Sequence, residues 1–126
     1  MNQQEIEAVL KTPAQKRYEY FIKKVSDYQE VYGLLNKDGW VEVSDDNGIT
    51  LIPFWPHKEY AELCATGVWS DCHPELVHLN AFIDKWLPGM KKDHIMPCVF
   101  LTPSDQGVVV SCEKLIDDLA EELGNY

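Results

Sequence analysis

The chain has 126 residues, 45% of them hydrophobic and 25% charged, a composition that predicts one globular domain over residues 1–126. Its formal net charge of −10, from 11 basic and 21 acidic residues, disfavours binding to nucleic acid or to an anionic membrane, because both depend on basic surfaces. No apolar run is long enough to span a membrane, and the N-terminus lacks the basic and apolar regions of a secretory signal.

Two helices are expected first. Residues 3–10 form one helix, and a capping pattern begins the next, with Thr12 as the N-cap, Pro13 at the first helical position and Gln15 at the third. The second helix is expected to run to about residue 27. Its apolar residues recur at helical spacing and define one buried face: Tyr18, Phe21, Ile22 and Val25.

Three strand-like segments follow, separated by tight turns. They are VYGLL (31–35), WVEVS (40–44) and ITLIPFW (49–55). Gly39 and Gly48 stand at the turns, and we expect both to adopt positive φ, which glycine does without steric strain. The spacing predicts an antiparallel meander of the three strands.

Helical spacing returns after Pro56. The apolar face of the predicted helix contains Tyr60, Ala61, Cys64, Ala65 and Val68. A further helix is predicted to open at His73, with Pro74 at its first position, and to stop at Pro88. These two helices separate the meander from the rest of the sheet.

A second hairpin and a final helix complete the chain. The segments IMPCVFL (95–101) and VVV (108–110) flank the turn TPSDQG, which is typical of a hairpin. Ser111 then caps a helix with its apolar and acidic residues on opposite faces. The predicted order is ααβββααββα, an α+β fold in which helices cover a largely antiparallel sheet made of the three-strand meander and the later hairpin.

Five segments together resemble a known family. They are, in chain order, YGLLNKDGW, IPFWPHKEYA, the isolated Trp69, FIDKWLP and VFLTPSDQGVVVSCEKL. This pattern resembles DUF2750, a family of small bacterial proteins of unknown function, over residues 17–123. The resemblance implies a small cytoplasmic protein with no assigned activity, and it identifies no catalytic residue.

The stretch from Phe54 to His57 marks the point where the last strand of the meander turns into a helix. Pro56 ends strand pairing and begins the helix. Since adjacent strand residues point to opposite faces, we expect one of Phe54 and Trp55 to pack under the helix and the other to lie partly open. We expect His57 in the first helical turn, with its ring partly exposed. The candidate binding residues are Trp55, His57, Tyr60 and Trp40.

Motifs for catalysis or metal binding are sparse. The four cysteines and four histidines form no CxxC or HxxxH pair, so we predict no metal site. The chain has no GxSxG segment and no phosphate-binding glycine loop, and we predict neither a catalytic residue nor a cofactor. In the absence of an export signal, the cysteines are expected to be reduced thiols in a cytoplasmic protein.

These observations favour a non-enzymatic protein-binding domain, adaptor- or immunity-like, over an enzyme. The acidic charge suits a basic protein partner. The alternative is a small enzyme or metabolite sensor with its site at the Trp55–His57 corner. A deep pocket with His57 hydrogen-bonded to a carboxylate or a cysteine would favour the alternative, and a flat acidic surface would favour the binding domain.

Overall fold

The computed structural model describes residues 1–125, which form an α+β fold and confirm the predicted class. The helices are α1 (Gln3–Leu10), α2 (Ala14–Tyr28), α3 (Lys58–Cys64), α4 (79–92) and α5 (Cys112–Leu123). The strands are β1 (Glu30–Asn36), β2 (Gly39–Trp40), β3 (Val43–Ser44), β4 (Thr50–Phe54), β5 (His73–His78), β6 (Ile95–Val99) and β7 (Val108–Val109). No helix in this part of the chain has both the length and the apolar character that crossing a bilayer requires.

The strands form two sheets that meet at one point. One sheet has the order β2–β1–β5 and is antiparallel throughout. The other has the order β3–β4–β6–β7, in which β4 and β6 are parallel and the remaining pairs antiparallel. The backbones of Tyr32 and Trp55 exchange hydrogen bonds of 2.9 and 2.8 Å, which join β1 to the end of β4. The predicted hairpin is confirmed, since Cys98 on β6 pairs with Val109 on β7.

The predicted three-strand meander is split between the two sheets. The segment expected as one strand over 40–44 forms β2 and β3, and β2 pairs with β1 while β3 pairs with β4. Between them Val41 is buried and donates its N–H to the carbonyl of Leu34 at 2.9 Å. The turn glycines were predicted correctly, because Gly39 and Gly48 have φ of 123° and 80°. The alternation of apolar and polar residues over 40–44 indicated a strand. It carried no information about which neighbouring strand each half of the segment would pair with.

The prediction of a helix opening at His73 was wrong. Residues His73–His78 form β5, which pairs with β1 along six consecutive positions. Pro74 lacks an N–H and is tolerated because β5 lies at the edge of its sheet. The helix α4 begins only at Leu79 and continues past Pro88 to Lys92. A π-helical turn at Phe82–Trp86 precedes this proline, which stands in the first turn of the last α-helical segment, where a missing N–H costs little.

The ends of two helices also differ from expectation. The N-cap of α2 is Pro13, and the hydroxyl of Thr12 instead donates to the carbonyl of Val9 at 2.6 Å. The buried face of α2 is as predicted, and Tyr18, Phe21, Ile22 and Val25 are all buried. Because α3 ends at Cys64, Val68 lies beyond it in a 3₁₀ turn and is 92% exposed, so its predicted burial was wrong. The Ser111 cap of α5 is confirmed, since its side chain accepts from the N–H of Lys114 at 3.0 Å.

A buried arginine fastens the β6–β7 region to α2. Arg17 is 1% exposed, and its Nε donates to the carbonyl of Phe100 at 3.2 Å. Its Nη1 donates to the carbonyl of Thr12 at 2.6 Å, and its Nη2 donates to Asp105 at 3.1 Å and to the carbonyl of Gln106 at 2.8 Å. Buried charges are stable only when they are paired in this way. The TPSDQG turn therefore has a defined position relative to the helix.

Candidate functional site

Trp55 anchors the chain reversal from which the candidate site is built. The side chain is fully buried, and its indole N–H donates to the carbonyl of Leu101 at 2.8 Å. Its backbone is paired with Tyr32 in both directions. An indole that is buried with its N–H satisfied contributes packing and orientation to a fold. Trp55 thus supports the site from within and presents no surface to a ligand.

The expectation that either Phe54 or Trp55 lies partly open was wrong, because both side chains are fully buried. The two residues do point to opposite faces, but both faces of the sheet are covered. The Phe54 ring packs against Phe82 and Trp86 of α4, with ring centroids 4.8 and 6.1 Å apart. On the other side, Trp55 is enclosed by α3 and the segment after β6, where it bonds to Leu101.

Trp40 belongs to the covered face next to α4. Its ring meets Trp86 edge to face, with centroids 4.6 Å apart. It also lies over Gly33, where an added Cβ would approach the Trp40 ring to 2.9 Å. Among residues 1–125, Trp40 makes no ring contact with His57. The structure therefore places Trp40 apart from the other candidate residues.

Four side chains gather at the start of α3 and form a surface that we call the aromatic corner, namely Tyr20, Tyr28, His57 and Tyr60. His57 is the N-cap residue of α3 and is partly buried, with Tyr28 at 5.1 Å, Tyr60 at 6.1 Å and Tyr20 at 6.4 Å between ring centroids. Tyr28 is 58% exposed and forms the outer wall. The prediction that His57 lies at the beginning of this helix with a partly exposed ring agrees with this position, one residue before the first turn.

A chain of hydroxyl groups runs beneath the aromatic corner. The Tyr20 hydroxyl donates to the Glu5 carboxylate at 2.6 Å, and it lies 3.1 Å from the hydroxyl of Tyr60. Tyr60 is 1% exposed and packs on Phe100 with ring centroids 4.7 Å apart. Burial raises the pKa of both tyrosines, and the hydrogen bond to Glu5 raises that of Tyr20 further. Both hydroxyl groups are therefore neutral donors or acceptors at physiological pH.

The imidazole of His57 is held neutral by its surroundings. Within the described residues its ring nitrogens make no hydrogen bond to protein, and its contacts are the three tyrosine rings. Desolvation lowers its pKa below 6.5, and the nearby ammonium of Lys24 lowers it further, while the carboxylates of Glu59, Glu5 and Glu30 oppose the shift. We call these three carboxylates the acidic rim. They come from α3, α1 and β1 respectively, so three elements contribute negative charge that acts on the imidazole.

Phe100 supports the corner from a strained backbone. It is fully buried and has φ of 61°, a left-handed conformation that is uncommon for an aromatic residue. Its N–H donates to the carbonyl of Phe54 at 2.9 Å, and its own carbonyl accepts from Arg17 at 3.2 Å. These bonds hold the Phe100 ring against Tyr20 and Tyr60, with centroids 6.1 and 4.7 Å away. Strain of this kind persists where surrounding contacts fix it and is common at functional sites.

Half of the aromatic corner was predicted from the sequence. His57 and Tyr60 were predicted, whereas Tyr20 and Tyr28 were missed. A signal for these two was present, because Tyr20, Lys24 and Tyr28 recur at i, i+4 and i+8 and so form a row on one side of α2. No local pattern indicated that Glu5 would join them, since only the packing of α1 brings it there.

The cysteines, the potential metal ligands and the cleft between α2 and α5 offer little support for a second site in the described residues. The four cysteines are unpaired and buried, and burial raises the pKa of each thiol, that of Cys64 to about 11. At neutral pH they are thiols, which are poor nucleophiles. No group of three or more histidine, cysteine, aspartate or glutamate side chains in residues 1–125 is arranged to hold a metal ion. A cleft of about 300 Å³ between α2 and α5 has its inner polar groups already joined, with Tyr18 and Lys114 both bonded to Asp118 at 2.5 and 3.0 Å.

The fold and this surface define a small α+β domain with an acidic, aromatic corner. The family described as "Protein of unknown function (DUF2750)" matches residues 18–119, and the chain belongs to that family. The resemblance inferred from the sequence motifs is thereby confirmed. A comparison with curated protein sequences finds no match.

One solved structure similar to the chain is described as "Anabaena Tic22 (protein transport)". The two share 17% sequence identity with a TM-score of 0.41. The match covers 64% of this chain and 46% of the other, so this chain spans about half the length of that structure. A likeness at this level assigns neither fold nor function.

Proposed function

We propose that this protein is a non-enzymatic binding domain of the adaptor or immunity type, acting in the cytoplasm, and that its aromatic corner receives a basic segment of a partner protein. The observation that carries the proposal is the arrangement around His57. A partly exposed imidazole without a hydrogen-bond partner in residues 1–125 stands beside an exposed tyrosine, and three carboxylates from different elements act on it electrostatically. Such a surface offers the unpaired imidazole, ring faces and the negative charge of the three carboxylates to an incoming cation, although Glu5 and Glu30 each accept a tyrosine hydroxyl and Glu59 pairs with the N-terminal ammonium.

Two physical effects favour a basic partner. Lysine or arginine side chains bind the faces of aromatic rings, and this attraction adds to the Coulomb attraction of nearby carboxylates. The net charge of −10 also raises the rate at which a basic protein meets this surface. A neutral His57 accepts a hydrogen bond through one ring nitrogen and donates through the other, so it selects partners that present a polar group beside their cation.

The alternative of a small enzyme or metabolite sensor has less support. A catalytic histidine is expected to be oriented by a carboxylate or to activate a nucleophile within hydrogen-bonding distance. The described residues provide neither partner for the His57 imidazole. The thiol of Cys64, at the end of α3, is also a weak candidate nucleophile. Cys64 is buried, its Sγ donates to the carbonyl of Leu101 at 3.6 Å, and burial raises its pKa to about 11.

The proposal is tested by affinity capture from extract of the native host, followed by mass spectrometry. Tagged wild-type protein is compared with the double variant Tyr28→Ala/His57→Ala and with Leu63→Ala, a control in which another large exposed side chain (41%) is removed. We expect a basic protein to be captured by the wild type and by Leu63→Ala, to be lost with the double variant, and to be released by about 0.5 M salt, which shortens the Debye length to well under 10 Å. Equal capture by all three proteins would refute a role for the corner.

A further inference from the structure

Lys24 lies at the centre of the row formed with Tyr20 and Tyr28 on α2. Its ammonium nitrogen stands 5.6 Å from the centroid of the Tyr20 ring, within the range of a cation–π contact. The side chain is partly buried, and among residues 1–125 its ammonium forms no ion pair with a carboxylate. The cation is thus held beside the corner by a ring face and by the field of the acidic rim.

We propose that Lys24 occupies the cation position of the aromatic corner, and that a lysine or arginine side chain of the basic partner displaces it on binding. This inference rests on the proposed function, because it concerns the same corner and the same kind of partner. Lys24 then acts as an internal competitor. Only a partner with a higher local density of positive charge replaces it, which restricts the corner to strongly basic segments.

The displacement follows from the geometry of the corner. One face of the Tyr20 ring accommodates one cation, and a second positive charge at that distance would be repelled by Lys24. The lysine side chain has a flexible four-carbon stem, so its ammonium can swing into solvent without a change in the backbone. The partner's cation then contacts the Tyr20 ring face and is attracted by the carboxylates of the acidic rim. The exchange breaks only the cation–π contact between Lys24 and Tyr20, so the partner's cation can still bind with a net gain in free energy.

The corner itself limits what can enter. Tyr20 and Tyr28 supply ring faces from α2, His57 supplies one from the start of α3, and Tyr60 closes the base because it is 1% exposed. The charged groups that face the imidazole are Lys24 and the three carboxylates of the acidic rim. A second cation, the N-terminal ammonium, lies 3.6 Å from Glu59 and partly neutralises that carboxylate. Three carboxylates against two cations leave the surface net negative. An anionic guest would be repelled and a neutral guest would gain no Coulomb attraction, whereas a cation is attracted by the net negative charge and by the ring faces.

The test uses three acetylated decapeptides as probes, with alternating arginine and glycine, lysine and glycine, or glutamine and glycine. Binding to the full chain is measured by NMR titration of the His57 and Tyr28 ring signals. We expect Lys24→Gln to bind the arginine and lysine peptides about threefold to tenfold more tightly than the wild type, the gain expected when a competing cation–π contact is removed. Lys24→Arg keeps a cation over the ring and should bind like the wild type. The glutamine peptide should not bind.

Lys23→Gln is the matched control, since it removes the same charge from the neighbouring, exposed lysine of α2. This control distinguishes the effect of removing the cation from the Tyr20 ring from the effect of removing one positive charge from the protein. We expect Lys23→Gln to change the affinity for the basic peptides less than twofold. A second readout needs no variant. We expect the Tyr20 ring to shift the Lys24 methylene protons nearest the ammonium upfield, because the ammonium lies 5.6 Å from the ring centroid, and this shift should disappear as the arginine peptide binds.

The possible results distinguish the two proposals. Tighter binding by Lys24→Gln alone, with loss of the ring-current shift, supports displacement. Equal tightening by Lys24→Gln and Lys23→Gln, or an unchanged Lys24 signal in the bound state, overturns the displacement while leaving a basic-segment site at the corner intact. Failure of every protein to bind either basic peptide at the corner refutes this inference and also contradicts the proposed function.

Discussion

Replacing Arg17 by methionine would remove four hydrogen bonds from one buried side chain. The guanidinium donates to the carbonyls of Phe100, Thr12 and Gln106 and to the carboxylate of Asp105, at 2.6 to 3.2 Å. Methionine is about as long as the aliphatic stem of arginine and retains most of the apolar packing of that stem. The effect of the substitution therefore comes from the polar groups that lose their donor.

The size of the effect depends on which acceptors remain out of contact with water. Phe100 is fully buried, and an orphaned buried acceptor costs about 1–3 kcal/mol. The carbonyls of Thr12 and Gln106 lie nearer the surface, and each lost bond there costs about 0.5–1.5 kcal/mol. Asp105 is 52% exposed and can be hydrated, so its contribution is small. We expect a total loss of about 2–6 kcal/mol in the free energy of unfolding, which comes from the three carbonyl groups that lose their donor.

The assay is urea unfolding followed by the fluorescence of the four tryptophans, among them Trp55, which bonds to Leu101 just before the loop that Arg17 holds. Lys16→Met is the control, because this neighbouring lysine is 68% exposed and its loss should leave the midpoint nearly unchanged. Arg17→Lys keeps the charge but has fewer donors, and it should lie between the two. If Arg17→Met unfolds at the same urea concentration as Lys16→Met, the arginine does not hold this loop and the reasoning is wrong.

Three further predictions concern packing and pH. Gly107→Ala would place a Cβ 2.6 Å from the carbonyl oxygen of Val99, so we expect thermal unfolding to show a loss of about 1–3 kcal/mol in stability. The control is Gly89→Ala, whose added Cβ meets no atom within 4 Å and which should be neutral or stabilising. Similar melting temperatures for the two variants would contradict the prediction. Trp55→Ala should cost about 3–5 kcal/mol, and His57→Ala less than about 1 kcal/mol, also by thermal unfolding; equal losses would make the corner a packed hinge alone. Because the pKa of His57 is lowered in the folded state, the unfolded state binds a proton more readily, so this group leaves stability unaffected above pH 6.5 and reduces it as the pH falls below that value. His57→Gln should therefore lose less melting temperature than the wild type between pH 7 and 5. An NMR titration that gives His57 a pKa above 6.5 would contradict the predicted direction of the shift.

Local features of this fold were predictable because they depend on residues a few positions apart. The extent of α1, the buried face of α2 and the Ser111 cap follow from spacing and capping preferences. The positive φ at Gly39 and the β6–β7 hairpin follow from turn residues between strand-forming segments. His57 and Tyr60 were identified as candidates on the same local basis, from a proline that ends a strand and from the spacing of the helix after it.

Tertiary packing determined which distant segments of the chain became neighbours. It turned His73–His78 into a strand by pairing it with β1, and it divided the predicted meander between two sheets joined at Tyr32 and Trp55. It also covered both faces of the sheet, so that Phe54 and Trp55 are both buried. It brought Glu5 from α1 to complete the corner. These outcomes depend on contacts between residues far apart in the chain, and such pairings are decided by the burial of the whole core, which no local pattern of residues records.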